Sequence, residues 1–573
     1  MEKTQKEWVL REKQWSLERA LFHRGISTPE EQQRFLHPDY ARDTHDPFLF
    51  QDMEKAVALI KNAIDNGEKI IIFGDYDADG TSGAVVFHDF FLCIDYQNYA
   101  VYIPDRFREG YGLQMKHVKE FLRDGAKLII TIDCGITSFE EIVYAEKNGA
   151  RVIVIDHHLI PPQWPPASAI IDPKRESDPY PYRFLSGAGL AWKTIHAFLS
   201  RHHPEKKELT RWMLDVVAIA AVADMVPLTE ENRTLVAYGL KVLSKTRRLG
   251  LQMLYRSANL TEGSITTEDI GFGIAPRINA ASRMDHANIS FSLLTTSSAD
   301  EAKRLARHLE EKNRERKVLV EKMVNEILSQ LPISRFPFPA FVVMGNSAWP
   351  PGVLGIAATR IMERVRVPIF LWGGLGDESQ DIYRGSCRSL GDINVVDLMR
   401  AANEDGVEPL FDDFGGHKQA GGFAIKAERI QELEPRLKEA LKNIPRGKVI
   451  NQLFLEAELK PEEVTRTLFE EIEQLQPFGV ANQKPLFLFS HAEIREVKEL
   501  GNGKGYFKIL ITRSNPPAGG APLEAVSFNG LGHEWLDKLK PGDIVDLAAS
   551  VERNTWNGAT SLRLRIEDIR EKE

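Results

Sequence analysis

Cysteine is scarce in this chain. Its 573 residues include three cysteines, Cys93, Cys134 and Cys387, and their spacing is neither paired nor of a metal-binding type. This distribution excludes a disulfide-stapled fold and a zinc ribbon. Reduced, buried thiols are typical of a reducing compartment, and we therefore predict a cytoplasmic protein.

Long hydrophobic runs are also absent. The longest, residues 216–223, is far shorter than the ~20 residues that span a bilayer. The first twenty residues are charged throughout and lack the apolar core of a signal peptide. We therefore expect neither secretion nor membrane insertion.

An excess of basic charge is the third thing that the chain lacks. Lys and Arg number 73 against 82 Asp and Glu, which gives a formal net charge of -9. This balance excludes a general polyanion-binding protein, although local basic sites for nucleic acid are still compatible with it. We find no internal repeat or low-complexity tract, and at roughly 150 residues per domain the length predicts three or four domains.

Three apolar, β-branched runs of the first third each end on an aspartate: Asp75, Asp133 and Asp156. In an open parallel sheet, ligands bind outside the carboxyl ends of the strands, so these acids should converge on one crevice. A single such aspartate would be a helix cap or turn residue. Three of them, one within Asp-x-Asp-x-Asp and one within Asp-His-His, favour a metal site. Hard oxygen ligands with one or two imidazoles fit Mn²⁺ or Mg²⁺ better than Zn²⁺.

The hydrophobic period predicts the surrounding fold. Strands ending at the three aspartates alternate with helices between residues 52 and 156, which indicates a parallel α/β sheet. Residues 187–245 are helical in pattern and include Asp224, a carboxylate within an apolar helix. An arginine partner is one explanation for Asp224, and a metal is the one we prefer, because an unpaired buried charge is costly. Residues 298–330 lack Gly and Pro and predict a connecting helix of ~50 Å.

The two ends of the chain have other patterns. Residues 1–48 show short helical patterns around Trp8 and Trp15 and look like a cap on the domain that follows. A second α/β unit begins after the connecting helix. From about residue 450 the period changes to two, and five or so antiparallel strands predict a small β-barrel, with an OB-fold as the leading option. The predicted segments are a cap (1–50), a catalytic α/β domain (51–297), a connecting helix (298–335), a second α/β domain (336–450) and the barrel (451–573).

Four short motifs carry a family resemblance. Residues 75–80, 132–135, 156–158 and 222–224 resemble the signature motifs of the DHH phosphoesterase superfamily, and Gly415-Gly416-His417 with residues 420–422 resembles the glycine-rich motif of its DHHA1 domain. With the segment 275–284 and the barrel, residues 50–573 resemble the branch that degrades single-stranded DNA from 5′ to 3′. Phe73 departs from the pattern, because many members of the superfamily have a metal-binding histidine there.

The resemblance implies a metal-binding and catalytic set. Asp77 would bind one ion, Asp79, His157 and Asp224 would bind the other, and Asp133 would bridge them. Asp75 and Asp156 would be additional or supporting groups, with Asp156 orienting a histidine ring, and His158 would face the phosphate. Two divalent cations ~3.5–4 Å apart, Mn²⁺ or Mg²⁺, can activate water and stabilise both the phosphoryl oxygens and the leaving group.

The resemblance also implies a substrate-binding set. Arg106 and Arg108 would grip the 5′-terminal phosphate through guanidinium contacts. Other candidates for phosphate or base contacts are Arg277, Asn279, Arg283, Arg384, Ser386, Arg388, Gly415, Gly416, His417, Tyr506 and Trp556. For any single arginine the alternative is a solvated surface residue. For the glycines it is an ordinary tight turn, and for Trp556 it is a residue that plugs a turn.

The function that these expectations imply is a two-metal exonuclease of DNA repair and recombination that releases mononucleotides. Its expected partner is single-stranded DNA with a 5′ end, together with a helicase or a single-strand-binding protein, and we expect a monomer. One alternative is a DHH oligoribonuclease or cyclic dinucleotide phosphodiesterase, but a dinucleotide substrate would not need the long binding surface of a barrel of ~120 residues. Another is a non-catalytic scaffold of replication, which would have lost metal ligands that this chain retains.

Overall fold

A computed structural model of the chain describes residues 6–331, 339–374, 381–404, 408–447, 452–500, 506–513, 522–527, 539–556 and 559–571, without the side chains of residues 555, 556 and 559. The chain forms two compact units. The first unit contains residues 46–224 and 238–450, and the second contains residues 2–45, 225–237 and 451–573.

The chain starts with one strand and two short helices, which belong to the second unit: β1 (Glu7–Glu12), α1 (Leu17–Phe22) and α2 (Pro29–Leu36). Our prediction of helix around Trp8 is therefore wrong. β1 pairs in parallel with residues 452–458, and the Trp8 indole N–H donates to Asp568 at 2.8 Å. The N-terminal segment thus belongs to the same compact unit as the C-terminal strands, and β1 pairs with a strand that lies more than 400 residues later in the sequence.

The first sheet of the first unit is parallel, as predicted. Its elements are α3 (Met53–Asp65), β2 (Lys69–Gly74), α4 (Ala78–Cys93), β3 (Tyr99–Tyr102), α5 (Met115–Arg123), β4 (Ala126–Ile132), α6 (Phe139–Lys147), β5 (Arg151–Ile155) and β6 (Ala169–Ile171). The strand order is β3-β2-β4-β5-β6, so β2, β4 and β5 are neighbours. Their buried Ile and Val side chains face helices on both sides, which accounts for the nearly continuous apolar runs.

A helical layer follows the parallel sheet. It comprises α7 (Gly187–His202), α8 (Leu214–Ala223), α9 (Glu230–Leu243), α10 (Leu249–Ala258), a π-helix (Asp269–Ile274), α11 (Ala275–Met284), α12 (Asn288–Thr295) and the 32-residue α13 (Ala299–Gln330). α13 confirms the predicted connecting helix. Asp224 is the residue that follows α8, and about a third of its side chain is exposed, so it does not lie within the apolar helix as expected.

The second sheet of the first unit is mixed. Its elements are β7 (Val342–Asn346), α14 (Pro351–Val365), β8 (Ile369–Gly373), β9 (Ile382–Arg388), α15 (Val395–Glu404), β10 (Asp413–His417), β11 (Ala420–Lys426) and α16 (Leu433–Ala440). The strand order is β10-β11-β9-β8-β7, and β7 and β8 form its one parallel pair among the described strands. The glycine-rich segment is the β10–β11 hairpin, whose strands present Gly415 to Gly422 and Gly416 to Gly421.

The C-terminal strands form a closed barrel. The elements are β12 (Gln452–Glu458), α17 (Arg466–Glu473), β13 (Phe487–Leu500), β14 (Tyr506–Ile511), β15 (Leu523–Ser527), β16 (Ile544–Trp556) and β17 (Ala559–Glu571). The barrel order is β13-β14-β15-β17-β16, and β16 pairs back onto β13. The sequence pattern did not predict β15, which pairs in parallel with β17. It also predicted β12 as a barrel strand, but β12 lies outside the barrel, between β1 and β13.

No helix among the described residues has both the length and the apolar composition needed to cross a lipid bilayer.

Candidate metal centre

The three strand-end aspartates lie side by side because the hydrogen-bond ladder of the sheet continues through them. The backbone N–H of Asp75 donates to the carbonyl of Ile132. In the same way, Asp133 donates to Ile155 and Asp156 donates to Ile171. Each aspartate is thereby fixed one residue beyond the end of its strand, and the carboxylates share the carboxyl edge of the sheet.

The predicted ligands form overlapping groups at this edge. In each of three groups, one ligand atom per residue lies within 4.8 Å of the others: Asp75, Asp77 and Asp133; Asp79, His157 and Asp224; Asp133, His157 and His158. Asp133 therefore stands between the first group and the histidines. Its Oδ1 is 3.0 Å from Nε2 of His157, which is also 3.6 Å from Asp224 and 3.8 Å from Asp79.

Two helix N-termini hold the Asp-x-Asp-x-Asp motif in place. Asp77 is the N-cap of α4 and accepts the N–H groups of Asp79 and Gly80. Asp79 accepts the N–H groups of Gly187 and Ala188, each at 2.7 Å, at the start of α7. The partial positive charge of that helix end favours a carboxylate there.

Gly187 makes the contact between α7 and the centre possible. A Cβ on Gly187 would lie 2.7 Å from the Cβ of Asp133, closer than side chains pack. Asp133 itself has φ +61°, a left-handed conformation that Asp and Asn adopt more readily than most residues. The local structure thus favours a small residue at 187 and an Asp or Asn at 133.

The electrostatics of the centre call for cations. Burial and the neighbouring Asp79, Asp77 and Asp75 raise the pKa of Asp133 well above its usual range. Burial and Asp77 raise the pKa of Asp79 to about 7, and desolvation and Asp79 raise that of Asp224 to about 8. Crowded carboxylates shift in this way when no positive charge balances them.

Unpaired ligand atoms provide the test of whether metal ions fit. Oδ1 of Asp75, Oδ1 of Asp133 and Nε2 of His157 are buried and make no hydrogen bond of suitable geometry to the described residues, although the last two atoms lie 3.0 Å apart. Buried polar atoms are normally paired, so three orphans in one crevice indicate a missing ligand. The donors are carboxylate oxygens and imidazole nitrogens, a set that suits Mn²⁺ or Mg²⁺.

The two adjacent histidines have different environments. Burial and the neighbouring His158 lower the pKa of His157 to about 3, which leaves its ring neutral and able to bind a metal. His158 Nδ1 lies 2.8 Å from Oδ1 of Asp156. Burial opposes the charged form of His158, but Asp156 outweighs it and raises its pKa to about 9. Asp156 also accepts the N–H groups of Ile136 and His157, so its position is fixed.

Tyr111 is a site residue that the sequence reasoning missed. Its hydroxyl donates to the backbone carbonyl of Asp133 at 3.0 Å and lies 3.2 Å from Nδ1 of His158. It belongs to the loop 104–113 that also carries Arg106 and Arg108, called the arginine loop below. The Gly-Tyr-Gly sequence there was the available signal, because flanking glycines let a loop bring an aromatic ring close to neighbouring backbone.

Phe73 lies away from the ligand atoms. It is buried in β2 against the rings of Tyr102 and His117, whose centroids are 5.8 and 5.4 Å distant. An oxygen of Asp75 completes a three-acid group with Asp77 and Asp133. The absence of the family's histidine at position 73 therefore leaves a carboxylate-only group on this side of the centre.

The loop arginines differ in their positions. The guanidinium of Arg106 lies over the Tyr76 ring at 4.8 Å from its centroid, and its charge acts on Asp75. Arg108 is exposed. Arg106 is thus the loop arginine beside the metal-binding motif.

The residues of α11 are partly committed to structural contacts. Arg277 pairs with Glu310 of α13 at 2.5 Å and donates to the carbonyl of Gly273. Asn279 accepts the N–H of Ala78 at the start of α4. Arg283 donates to the carbonyl of Gly352, and burial together with Arg106 and Arg316 lowers its pKa to about 9. A bound anion would relieve the repulsion between these neighbouring cations.

Three polar side chains of β9, in the second sheet, are further predicted substrate contacts. Burial lowers the pKa of Arg388, and the nearby charge of Arg106 adds to this effect. A Cβ on Gly355 would meet Arg388 Nη2 at 2.7 Å and Ser386 Oγ at 3.2 Å, and one on Gly110 would lie 4.0 Å from Arg384 Nη2. These side chains of β9 therefore face α14 and the arginine loop.

The glycine-rich hairpin has two kinds of glycine. Gly416 has φ +134°, and a Cβ there would meet the carbonyl of Ala420 at 2.3 Å, as a tight hairpin requires. A Cβ on Gly415 would meet nothing within 4 Å, so hairpin packing does not explain that glycine. Next in β10, desolvation and the charges of His158 and Lys174 lower the pKa of His417, so His417 lies within electrostatic range of the centre.

Of the two predicted barrel aromatics, Tyr506 begins β14 opposite Leu500 and is half-buried. The side chain of Trp556 lies outside the described residues.

Comparison with known proteins agrees with this architecture. Family models match at residues 69–221 (DHH family, N-terminal domain), 338–443 (DHHA1 domain) and 455–568 (RecJ OB domain). The fold and the acidic centre thus define a DHH phosphoesterase with a DHHA1 domain and an OB-fold.

Similar proteins narrow the class. The chain is 34% identical to the single-stranded-DNA-specific exonuclease RecJ of Bacillus subtilis over 96% of this chain and 67% of that protein. It is 30% identical to the RecJ of Escherichia coli over 90% of each. The crystal structure of Thermus thermophilus RecJ in complex with Mn²⁺ matches with a TM-score of 0.80 at 28% identity, covering 99% of this chain and 80% of that one. The chain belongs to the RecJ family.

Proposed function

We propose that this chain is a metal-dependent exonuclease that hydrolyses single-stranded DNA from its 5′ end and releases mononucleotides. The observation that carries the proposal is the pair of ligand groups on either side of Asp133, with three buried ligand atoms unpaired. Relatives at 30% identity and above are named single-stranded-DNA-specific exonucleases. A solved RecJ also holds Mg²⁺ in a second crystal structure.

Asp75, Asp77 and Asp133 would hold one divalent cation, and Asp79, His157 and Asp224 would hold the other, with Asp133 shared. Bound there, two cations supply an activated water and neutralise the phosphoryl oxygens. The chain's own residues do the rest. His158, held through Nδ1 by Asp156 and protonated at neutral pH, presents Nε2 to a phosphate oxygen, where a positive charge stabilises the developing negative charge.

Strand polarity would come from the arginine loop. Arg106 lies beside the metal-binding motif, and the crowding with Arg283 would be relieved by a terminal phosphate dianion. Ser386, Arg388, Gly415 and His417 would bind the same nucleotide from the DHHA1 side. Tyr506 and Trp556 of the barrel would stack on bases farther along the strand.

We retain the other expectations as parts of this proposal. The DHH domain spans residues 51–297, the connecting helix 298–335, the DHHA1 domain 336–450 and the OB-fold 451–573, with residues 2–45 in the same unit as the barrel. The protein acts as a cytoplasmic monomer in DNA repair and recombination, beside a helicase or a single-strand-binding protein.

The substrate class can be tested directly. The chain with Mn²⁺ is incubated with one labelled sequence as single-stranded DNA, as blunt duplex DNA and as single-stranded RNA, with Asp77→Asn as the inactive control. We expect degradation of the single-stranded DNA well ahead of the duplex, and none by the variant. Hydrolysis of dinucleotides without degradation of longer strands would contradict the proposal and favour the dinucleotide phosphodiesterase.

A further inference from the structure

Glu109 is a half-buried carboxylate of the arginine loop that the proposed reaction does not use. Its side chain is 16% exposed. Oε2 accepts the backbone N–H of Asp105 at 2.7 Å. Oε1 accepts the Tyr102 hydroxyl at 2.9 Å and lies 3.1 Å from Nε2 of His117 and 3.2 Å from Nζ of Lys116. One carboxylate thus joins the loop to β3, which contains Tyr102, and to α5, which contains His117.

The direction of the hydrogen bond between His117 and Glu109 is fixed by a second contact of the ring. Nδ1 of His117 lies 3.2 Å from the backbone N of Gln114, and an N–H group can only donate. Nδ1 is therefore the acceptor. Burial lowers the pKa of His117, which leaves a neutral ring with its one proton on Nε2. Nε2–H then donates to Glu109.

Glu109 is ionised at neutral pH. Burial opposes its charge, but hydrogen bonds from the backbone of Asp105 and from His117 and Tyr102 outweigh burial and lower the pKa of this carboxylate to about 2. Hydrogen bonds to an ionised carboxylate are stronger than those between neutral groups. The side chain of Glu109 can therefore hold its partners in place.

The turn that carries Arg106 is closed by Asp105 and Glu109. Oδ1 of Asp105 accepts the N–H groups of Phe107 at 2.8 Å and of Arg108 at 3.0 Å. The carbonyl of Asp105 accepts the N–H of Glu109 at 2.9 Å, and the Glu109 carboxylate accepts the N–H of Asp105 in return. The backbone on both sides of Arg106 is therefore held by hydrogen bonds.

The partners of Glu109 pack against the strand that leads to the metal-binding motif. The ring centroids of Tyr102 and His117 lie 5.8 and 5.4 Å from that of Phe73 in β2. Phe73 precedes Asp75 by two residues, so the contacts that start at Glu109 end at the strand that fixes Asp75. A loop held in this way has a fixed position relative to the metal ligands.

We propose that Glu109 is a positioning residue for recognition of the 5′ phosphate: it holds the arginine loop in the conformation in which Arg106 meets the phosphate. The inference rests on the proposed function, in which Arg106 binds the terminal phosphate. A loop that is ordered before the substrate arrives loses less conformational entropy on binding than a mobile loop does. Without the Glu109 carboxylate, part of the binding energy of the phosphate would be used to order the loop, and the affinity for phosphorylated ends would fall.

Three variants of the full-length protein test the proposal. Glu109→Gln has nearly the same size, but in either orientation its amide NH₂ group faces a hydrogen-bond donor. Tyr102→Phe removes one hydroxyl and keeps the ring. Tyr99→Phe is the matched control, because it makes the same change in the same strand at a hydroxyl that lies 2.8 Å from Nδ1 of His88, outside the loop.

Hydrogen exchange measures the order of the loop without any nuclease activity. The backbone amides of residues 104–113, followed by mass spectrometry, should exchange at least ~10-fold faster in Glu109→Gln than in the wild type, because hydrogen bonds to a charged group are lost. Tyr102→Phe should show a smaller increase, and Tyr99→Phe should match the wild type.

Initial rates on one DNA sequence, with either a 5′ phosphate or a 5′ hydroxyl, then connect the loop to recognition. Glu109→Gln should raise the KM for the phosphorylated strand at least ~5-fold with a smaller change in kcat. The kcat/KM for the hydroxyl strand should change much less, so the preference for the phosphate should fall. A role in stability alone would lower the rates on both strands equally.

Three results would overturn the proposal. One is unchanged exchange of the loop amides in Glu109→Gln. Another is faster exchange with an unchanged preference for 5′-phosphorylated strands. The third is an equal effect of Tyr102→Phe and Tyr99→Phe on both measurements. A wild type that shows no 5′-phosphate preference would contradict the role of Arg106 in the proposed function, and with it the recognition step of this inference, whereas faster loop exchange in Glu109→Gln would still support the positioning of the loop.

Discussion

Replacing Asp133 by Asn tests the role of the shared ligand. Asp133 has φ +61°, which Asn tolerates and Ala does not, so Asp133→Asn keeps the backbone while it removes one negative charge. The residue is 3% exposed, and the Asp and Asn side chains have nearly the same size. The variant should therefore change the charge of the centre with little change in its shape.

The expected loss of activity is large. Asp133 belongs to two of the three ligand groups, so its neutralisation weakens the binding of both cations. Removing one group that stabilises transition-state charge costs roughly 10²–10³-fold in rate, or about 2.7–4 kcal/mol. We expect at least this loss in Mn²⁺-dependent degradation of single-stranded DNA, measured as initial rates at saturating metal.

In the absence of metal, Asp133→Asn should make the fold more stable, although it lowers the activity. Burial and three neighbouring aspartates raise the pKa of Asp133, so its ionisation destabilises the metal-free fold as pH rises. With a chelator at pH 8, Asp133→Asn should melt at a higher temperature than the wild type. Adding Mn²⁺ at 100 times its Kd should stabilise the wild type by about 2.7 kcal/mol and the variant by much less.

Asp215→Asn is the matched control. Asp215 is also buried, but it pairs with Arg248 at 2.7 Å and lies outside the metal centre. This variant should lose about 1–3 kcal/mol of stability and retain both its activity and its response to Mn²⁺. Near-normal turnover by Asp133→Asn, or an unchanged Mn²⁺-induced rise in melting temperature, would refute the assignment of Asp133 as the shared ligand.

Four further predictions follow from the geometry of the site and the barrel. In competition assays the wild type should prefer 5′-phosphorylated over 5′-hydroxyl strands. Arg106→Ala should lose this preference, whereas Arg108→Ala should keep it. Equal wild-type rates on 5′-phosphorylated and 5′-hydroxyl strands would contradict recognition of the 5′ phosphate by Arg106. Gly187→Ala places a Cβ 2.7 Å from that of Asp133 and should lower the rate by the order of 10²-fold, whereas Gly189→Ala, whose nearest contact is 3.6 Å, should not. The pKa values of Asp79 (about 7), Asp224 (about 8) and His158 (about 9) all lie above their usual values, and a raised pKa gives stability that is lost as pH rises through it. The melting temperature of the chelated protein should therefore fall between pH 6 and pH 9. Mg²⁺ should reduce this fall, and a melting temperature that does not change with pH would count against the reasoning. Tyr506→Ala should weaken the binding of long single strands by roughly 1–3 kcal/mol without slowing the cleavage of a very short oligonucleotide, and unchanged affinity in a filter-binding assay would remove Tyr506 from the DNA path.

Local sequence pattern predicted much of the first unit. The β-branched runs that end at Asp75, Asp133 and Asp156 have a clear period and clear punctuation, and each strand lies where the pattern placed it. The absence of Gly and Pro predicted α13. The convergence of the acids followed from one topological rule, because neighbouring parallel strands end at the same edge.

Contacts between distant segments were not predictable in this way. β1 is a strand because it pairs with β12, 445 residues later, and nothing in the six residues themselves specifies that partner. Arg277 resembled a free phosphate ligand until its pairing with Glu310 was visible. Tyr111 reaches His158 through a loop whose path the sequence does not encode locally.

The central claim is that this centre removes nucleotides from the 5′ end of a single strand. One single-stranded DNA of about 30 nucleotides, labelled with different fluorophores on its first and last nucleotides, tests it in a single Mn²⁺-dependent time course with a chelated control. We predict that the 5′ label appears first as a mononucleotide, while the 3′ label stays on progressively shorter strands, and that the chelator stops both. Earlier release of the 3′ label, internal cleavage products, or equal rates in the presence of chelator would contradict the account.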